Sequence, residues 1–387
     1  LPCSISLCII AKDEEKQIAR CINSAKPFVD QIVVVDTGST DKTVDIAKEL
    51  GAEVYKITWQ DDFSQARNIS LEYATGDWIL FLDCDEELDS ATAPTLKKLV
   101  NDDNYDAYWL QFINIFNNRP STSFLAFRLF RNNPLFRFEC RIHEQILPSV
   151  LRHISPARIG LADVTVYHYG YEKNTIESKN KIERNIRLLE KARQEYGNSG
   201  FIAFYLGVEQ QRMGNYQKAL EYYTESLDKS SLDANYVPAM LRAMAYCFIS
   251  LGRYQEGLSL LNRYLPVYPD YTDLMYLKGL LYFELGKYHR ALDCMNKCIA
   301  MGPPPQRYFS VCGIADEKPQ KFIHILTRNL IYYSAILIKK GLTSQAFPVL
   351  DTVFTQLQKT PDEDLYINLV EVMLLLTKQA ADGLPCR

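Results

Sequence analysis

Four short apolar runs between residues 4 and 83 are separated by three stretches with helical spacing, and this alternation restricts the fold more than any other feature. The runs are SISLCII, QIVVVD, AEVYKITW and WILFLD. SISLCII, QIVVVD and WILFLD are continuous rather than alternating, as in strands buried on both faces, and AEVYKITW reads as a third strand. Between them, EEKQIARCINSAK places Ile18, Cys21, Ile22 and Ala25 on one helical face. TDKTVDIAKELG starts at a Thr or Asp cap and ends at Gly51, and DFSQARNISLEYATG closes at Gly76. A β-α-β-α-β-α-β order implies parallel strands joined by right-handed crossovers. In such sheets ligands sit at the carboxyl ends of the strands. The polar clusters fall there: Lys12-Asp13-Glu14, Asp36-Thr37-Gly38 and Asp83-Cys84-Asp85.

The third cluster is the sharpest. WILFL runs directly into Asp83, Asp85, Glu86 and Glu87. Packed carboxylates repel, and burying one costs several kcal/mol by roughly the usual estimates unless it is paired. Either these acids lie in a solvated loop, or they form a cation site at the mouth of a sheet. Glu86 and Glu87 read as caps of the following segment. Further on, YWLQFINIF and FLAFRLFRN read as antiparallel strands joined by the loop NNRPSTS. FRFECRIHEQI and ADVTVYHYGY follow, and His143-Glu144 interrupts the apolar alternation of the first.

After about residue 199 the period changes. Gly214-Asn215-Tyr216, Gly252-Arg253-Tyr254 and Gly286-Lys287-Tyr288 recur at steps of 38 and 34 residues. Each is followed at one offset by Ala219, Gly257 or Ala291, and preceded by Gly207, Ala245 or Gly279. Such spacing is that of tetratricopeptide helix pairs, in which small residues let two antiparallel helices approach. Ala346 fits a fourth repeat 55 residues on, with about 21 inserted residues that include Gly302-Pro303-Pro304-Pro305. Such arrays either bind extended peptides or proteins on a concave surface or serve as packing and dimerisation platforms.

Composition narrows the partners. The net charge of −4, without a long basic run, argues against nucleic acid. No apolar run approaches the roughly 18 residues of a membrane helix. LPCSISLCII reads as a first strand rather than a leader. The ten cysteines form no CxxC pair, and Cys294 with Cys298 makes a poor zinc site without a histidine nearby. The expectation is a reduced, cytoplasmic protein.

Taken together, LCIIAKDEE, VVVDTGSTDKT, FSQARN, GDWILFLDCDEEL, RIHEQI and VYHYGY resemble the family-two glycosyltransferases of GT-A fold. The variant resembled is the bacterial one with C-terminal tetratricopeptide repeats, as in sublancin-type peptide S-glycosyltransferases. The lipopolysaccharide-core β-glucosyltransferases carry a similar His-Glu pair. The chain departs mildly from the pattern, with AKDEE where Lys-Asn-Glu-Glu is frequent and Cys84 between the two Asp residues. The resemblance implies a GT-A-type mixed sheet flanked by helices over residues 1–172, a linking helix at 173–198, and an all-α repeat domain at 199–387.

It also implies a UDP-sugar donor, a divalent cation (Mn2+ or Mg2+), and a peptide or glycan acceptor. A homodimer through the repeats is a further expectation. A diphosphate leaving group builds negative charge that a cation held by oxygens stabilises. Asp85 is the candidate direct ligand, and Asp83 would bond the ribose or reach the ion through water. By family position Asp36 reads the uracil ring; physically it is equally a helix cap. Glu14 would contact the nucleoside, and Arg67 either meets the nucleotide or lies on the surface. His168 completes the metal shell in resembling enzymes; otherwise it is a packed histidine. An inverting transferase needs a base opposite the leaving group. Glu144, beside His143, is chosen for it; the alternative is a salt bridge with Arg137 or Arg141. Lys179, Lys181, Arg184 and Arg187 read as a solvated face. Two rivals remain: a degenerate transferase carried by a repeat scaffold, and a nucleotidyltransferase. AKDEEKQ lacks the glycines of the latter's phosphate loop.

Overall fold

The computed structural model describes residues 2–170, 175–197 and 199–382. The expected boundary at 172, Cys386 and the Lys179 side chain lie outside the described residues. The chain divides into two compact units, Leu1–Met240 with Gln306–Cys312, and Leu241–Pro305 with Gly313–Arg387.

The first unit opens as β1 (Ile5–Ala11), α1 (Ile18–Ala25), β2 (Gln31–Asp36), α2 (Thr43–Glu49), β3 (Glu53–Lys56), α3 (Phe63–Tyr73) and β4 (Trp78–Phe81). β1 pairs in parallel with β2 and β4, and β2 with β3. Burial on both faces explains the continuous apolar runs: every residue of β4 is buried, and so are six of the seven in β1. Then come β5 (Glu86–Leu88), α4 (Leu96–Leu99), β6 (Ala107–Phe116), β7 (Arg119–Arg131), α5 (Leu147–Leu151) and β8 (Ile159–His168). The sheet order is β3-β2-β1-β4-β7-β6-β8-β5. β7 runs antiparallel to β4 and β6, β8 parallel to β6, and β5 antiparallel to β8, so the sheet is mixed.

Three details differ from the sequence reading. NNRPSTS is not a loop, because Asn117 and Asn118 make a two-residue turn at φ 50° and 57° and β7 starts at Arg119. Two consecutive positive φ angles define the tight hairpin turn, and Asn tolerates them. FRFECRIHEQI carries no strand. It is an irregular segment held by a bridge between Glu139 and Gln145, with Cys140 and His143 at φ 72° and 54°. Glu86 and Glu87 cap nothing, since they form β5.

The first unit continues with α6 (Thr175–Tyr196), α7 (Gly200–Arg212) and α8 (Tyr216–Lys229). The division between units falls within α9 (Val237–Ser250). The second unit holds α10 (Tyr254–Tyr264), α11 (Thr272–Glu284) and α12 (Tyr288–Met301). It ends with α13 (Glu317–Lys339), α14 (Thr343–Lys359) and α15 (Glu363–Asp382). The repeated Gly-x-Tyr signature marks the turn inside each pair, and Ala219, Ala245, Ala291 and Ala346 are fully buried. A Cβ at Gly207 would lie 2.5 Å from the Tyr223 ring, which shows how closely α7 and α8 approach. The insertion before the fourth repeat also has a structure. Residues 306–312 belong to the first unit, where β9 (Ser310–Val311) pairs antiparallel with Thr122 and Ser123 of β7. No helix among the described residues is long and apolar enough to cross a membrane.

Candidate active site

β4 delivers its acids to the sheet edge and the chain turns back at once. Asp83 N–H donates to Glu86 Oε2 (2.8 Å), and Glu86 N–H to the Asp83 carbonyl (3.0 Å). This turn tucks Glu86 inside, where it is 2% exposed. Two arginines face the acids. Arg67 of α3 donates through Nη2 to Asp83 (2.7 Å) and through Nε to Glu144. Arg128 of β7 donates to Glu86 (2.7 Å) and Asp83 (3.4 Å). Both guanidinium groups lie over the Phe81 ring, at 4.2 and 4.0 Å from its centroid. Arg128 is the extra residue of a β-bulge, because Tyr108 pairs with Leu129 while the next residue, Trp109, pairs with Phe127. Bulges redirect a side chain beside functional sites.

Electrostatics follow the geometry. Burial raises the Asp83 pKa, but Arg67 and Arg128 outweigh it and hold the carboxyl well below the usual range. For Glu86 burial prevails over the pull of Arg128 and pushes the carboxyl above its ordinary range. Burial would lower the Arg67 pKa; the carboxylates of Asp83 and Glu144 more than reverse this. Glu144 therefore pairs with Arg67, not with Arg137 or Arg141. The Arg137 guanidinium bonds the Phe136 carbonyl, and Arg141 pairs with Glu195.

Asp85 points elsewhere. Its Oδ2 lies 3.5 Å from Nε2 of His168, the last residue of β8. A Cβ at Gly170 would fall 2.5 Å from that nitrogen and 2.8 Å from that oxygen, so both atoms press against the backbone there and only glycine fits. His168 Nδ1 lies within hydrogen-bond distance of Asn114 Oδ1 (2.7 Å), and Asn114 Nδ2 donates to Thr122 Oγ1 (2.6 Å). Among the described residues no group of three or more His, Cys, Asp or Glu side chains gathers as a metal cluster. The pair nonetheless fits part of a divalent-ion shell. Two ligand atoms each about 2.1 Å from one ion stand roughly 3 to 3.5 Å apart, and an imidazole whose other nitrogen is held by a neighbour is the usual metal-binding form.

At the other end of the edge, the loops after β1 and β2 are tied together. Asp13 Oδ1 accepts from Thr40 N–H (2.7 Å), and Glu14 N–H donates to Thr43 Oγ1 (2.7 Å). Asp36 is buried and accepts from the N–H groups of Gly38 (3.3 Å) and Ser39 (3.1 Å). It caps its own loop, not α2, which starts at Thr43. The His143 ring stacks on Tyr205 of α7 (3.6 Å between centroids), and its Nε2 is buried without a hydrogen-bond partner. Burial pushes its pKa down to about 3, so the ring is neutral. Glu144, Arg67 and Asp83 are thus brought together, and Asp85 with His168; no hydrogen bond joins the His143 ring to either group. Of the basic face of α6, Arg187 and Lys191 both clamp Asp61 (2.6 Å).

The sequence reading missed Arg128, Glu86 as a buried member, and Asn114. Asn114 had a visible signal, since it follows Tyr108, Leu110 and Phe112 on the buried face of β6, where a polar residue requires a partner.

A mixed sheet carrying acids and a histidine at its carboxyl edge, in a chain that continues into helical pairs, defines a transferase of the GT-A class. Comparison agrees. Residues 6–146 match glycosyl transferase family 2, and residues 272–303 match the tetratricopeptide repeat. A TPR repeat-containing protein of Synechococcus elongatus is 31% identical over 310 residues, 77% of this chain and 76% of that protein. The SPbeta prophage-derived glycosyltransferase SunS of Bacillus subtilis is 28% identical over 286 residues, 72% of this chain and 66% of that one. The crystal structure of S. aureus TarS 1-349 in complex with UDP-GlcNAc matches with a TM-score of 0.38 and 16% identity, covering 74% of this chain and 88% of that one. The chain belongs to glycosyl transferase family 2 and is a glycosyltransferase with tetratricopeptide repeats.

Proposed function

We propose that the chain is a metal-dependent, inverting hexosyltransferase that uses a UDP-sugar and glycosylates a Cys or Ser side chain of a peptide. The observation that carries the metal-dependent reading is the 3.5 Å approach of Asp85 Oδ2 to His168 Nε2 at the end of β8. Asp85 and His168 would hold Mn2+ or Mg2+, which when bound supplies positive charge to the departing diphosphate. Asp83, kept ionised by its arginines, receives the ribose hydroxyls. Asp36 and Glu14 border the nucleoside. Arg67 holds Glu144 Oε1, which leaves Oε2 to take the acceptor proton. His143, neutral and stacked on Tyr205, fixes the segment that carries Glu144. The peptide acceptor rests on the resemblance of RIHEQI and VYHYGY to the peptide S-glycosyltransferases; a surface glycan is the alternative. The domain limits 1–172, 173–198 and 199–387 describe the division of labour. The repeats select the acceptor or pair two chains, without nucleic acid as a partner. The nine cysteines among the described residues are all thiols, in keeping with a cytoplasmic location.

Thermal unfolding of the full chain with UDP, with and without Mn2+, tests this reading, because a ligand of the folded state raises its stability by mass action. Stabilisation by UDP only when Mn2+ is present, followed by a hexose mass increase on a cysteine peptide, is the expected result. Equal stabilisation in EDTA contradicts metal dependence. Transfer to glycans alone moves the acceptor to that class.

A further inference from the structure

Glu144 stands on a segment that is neither helix nor strand. Glu139 and Gln145 close it with two backbone hydrogen bonds of 3.0 and 2.9 Å, and inside it Cys140 and His143 take left-handed backbone at φ 72° and 54°. Residues other than glycine keep that conformation only where their surroundings over-determine it. α3 supplies one side. Phe63 N–H donates to the Arg141 carbonyl (2.8 Å), and Asn68 bonds the backbone of Phe138 in both directions (2.8 and 3.0 Å). α6 and α7 supply the other. Ile142 is buried among Leu188, Leu189 and Ala192 of α6 and Ile202 and Leu206 of α7. The His143 ring lies flat on Tyr205 of α7, 3.6 Å between centroids at an angle of 11°. That ring makes no hydrogen bond among the described residues, so the stack is what orients it. Tyr205 is itself held, since Phe201 and Phe204 of α7 each meet its ring edge-on with centroids 4.9 Å away.

Resting on the reading of Glu144 as the base, we propose that Tyr205 is a positioning residue for the transfer step: its ring, carried by the first helix of the expected repeat domain, holds His143 in left-handed backbone and so sets where Glu144 presents Oε2. His143 and Glu144 share one planar peptide, so a turn of the histidine backbone swings the carboxylate. A misplacement of about 1 Å at a reacting group costs about 10²-fold in rate. The ring, not the hydroxyl, does the holding, because no hydrogen bond reaches the Tyr205 hydroxyl among the described residues. α7 thus serves the chemistry of transfer, beyond selecting an acceptor or pairing chains.

The test uses the full chain with Mn2+, UDP-glucose and two acceptors, a cysteine peptide and its serine analogue. It reads kcat and KM on whichever peptide accepts, and UDP affinity by calorimetry. Tyr205→Leu should lower kcat by about 10–100-fold with UDP affinity unchanged, less for the thiol, which is partly ionised already. Tyr205→Phe keeps the ring and should restore kcat. In a Glu144→Gln background Tyr205→Leu should lower kcat little further, because residues that act through one step do not add. Should Tyr205→Leu fail to fold, His143→Asn is measured in its place; that substitution suits left-handed backbone but leaves the stack without its second ring, and should lower kcat in the same way. A kcat of wild-type size in the folded variant, a matching loss of UDP affinity, or a full further loss in the Glu144→Gln background overturns the role of Tyr205, provided that Glu144→Gln is itself impaired. If Glu144→Gln transfers as wild type does, the base reading falls and the proposal with it. Wild type that glycosylates neither peptide has the same consequence.

Discussion

The carboxyl edge of the sheet and the helical pairs of the second unit handle charge in opposite ways. At the edge, Arg67, Arg128, Glu86 and Glu144 have side chains no more than 14% exposed, and Asp83 is about one-third exposed. In the second unit, Lys359 with Asp293 and Arg253 with Glu256 are ion pairs in solvent, while the cluster that packs α12 to α15 together is Leu, Ile, Val, Ala and Met. Replacing a buried ion pair by packed apolar groups is often neutral or stabilising. Stability alone therefore does not explain a network of two arginines and three carboxylates. Its position, at the ends of parallel strands and beside Asp85 and His168, does. The helical pairs show the other rule, in which small residues and close packing carry the architecture.

Five substitutions probe that contrast. Arg67→Met should have the largest effect. It leaves Glu144 and part of Asp83 without their cation, a loss of roughly 3–5 kcal/mol, toward the lower value because Arg128 still faces Asp83. Urea unfolding measures it, and a loss below about 1 kcal/mol would mean the network is not held by Arg67. Glu144→Gln keeps an acceptor for Arg67 and should leave the fold and UDP binding intact. Its transfer rate to a hydroxyl acceptor should fall by about 10²–10⁴. A thiol acceptor, partly ionised at neutral pH, should show a smaller fall. In the α7–α8 pair, which belongs to the first unit but packs by the same rule, Gly207→Ala should cost about 1–3 kcal/mol, because the added methyl meets the fully buried Tyr223 ring. Gly279→Ala should cost less, since its methyl meets the flexible end of Met295; equal costs would show that the packing is looser than the geometry implies. Lys359→Ala should change stability by no more than about 0.5 kcal/mol, as exposed pairs do.

Much of the first unit was legible because strands buried on both faces need continuous apolar runs, and those runs are visible in one dimension. Asp85 stands out by its place at a strand end, and Arg67, Glu144 and His168 by the motifs that carry the family resemblance; the structure gathers Arg67 with Glu144 and Asp85 with His168. Glu86 was not. It sits in a run of acids that looks like a loop, and its burial follows from the turn at Asp83 together with pairing across to His168, more than eighty residues on. Arg128 was hidden by its bulge, since a strict alternation of FLAFRLFRN gives no reason to turn it toward Asp83. The hairpin turn was read as too long, although Asn-Asn is compatible with two positive φ angles. The inserted strand β9 has no local pattern at all, because two residues carry no period.

The central claim is that Asp85, unlike the arginine-paired acids beside it, faces a cation. Calorimetry of UDP binding with and without Mn2+, in wild type and Asp85→Asn, tests it most directly. Wild type should bind UDP more tightly with Mn2+, and Asp85→Asn should fold normally and lose that difference. Undiminished Mn2+ dependence in Asp85→Asn would contradict the account.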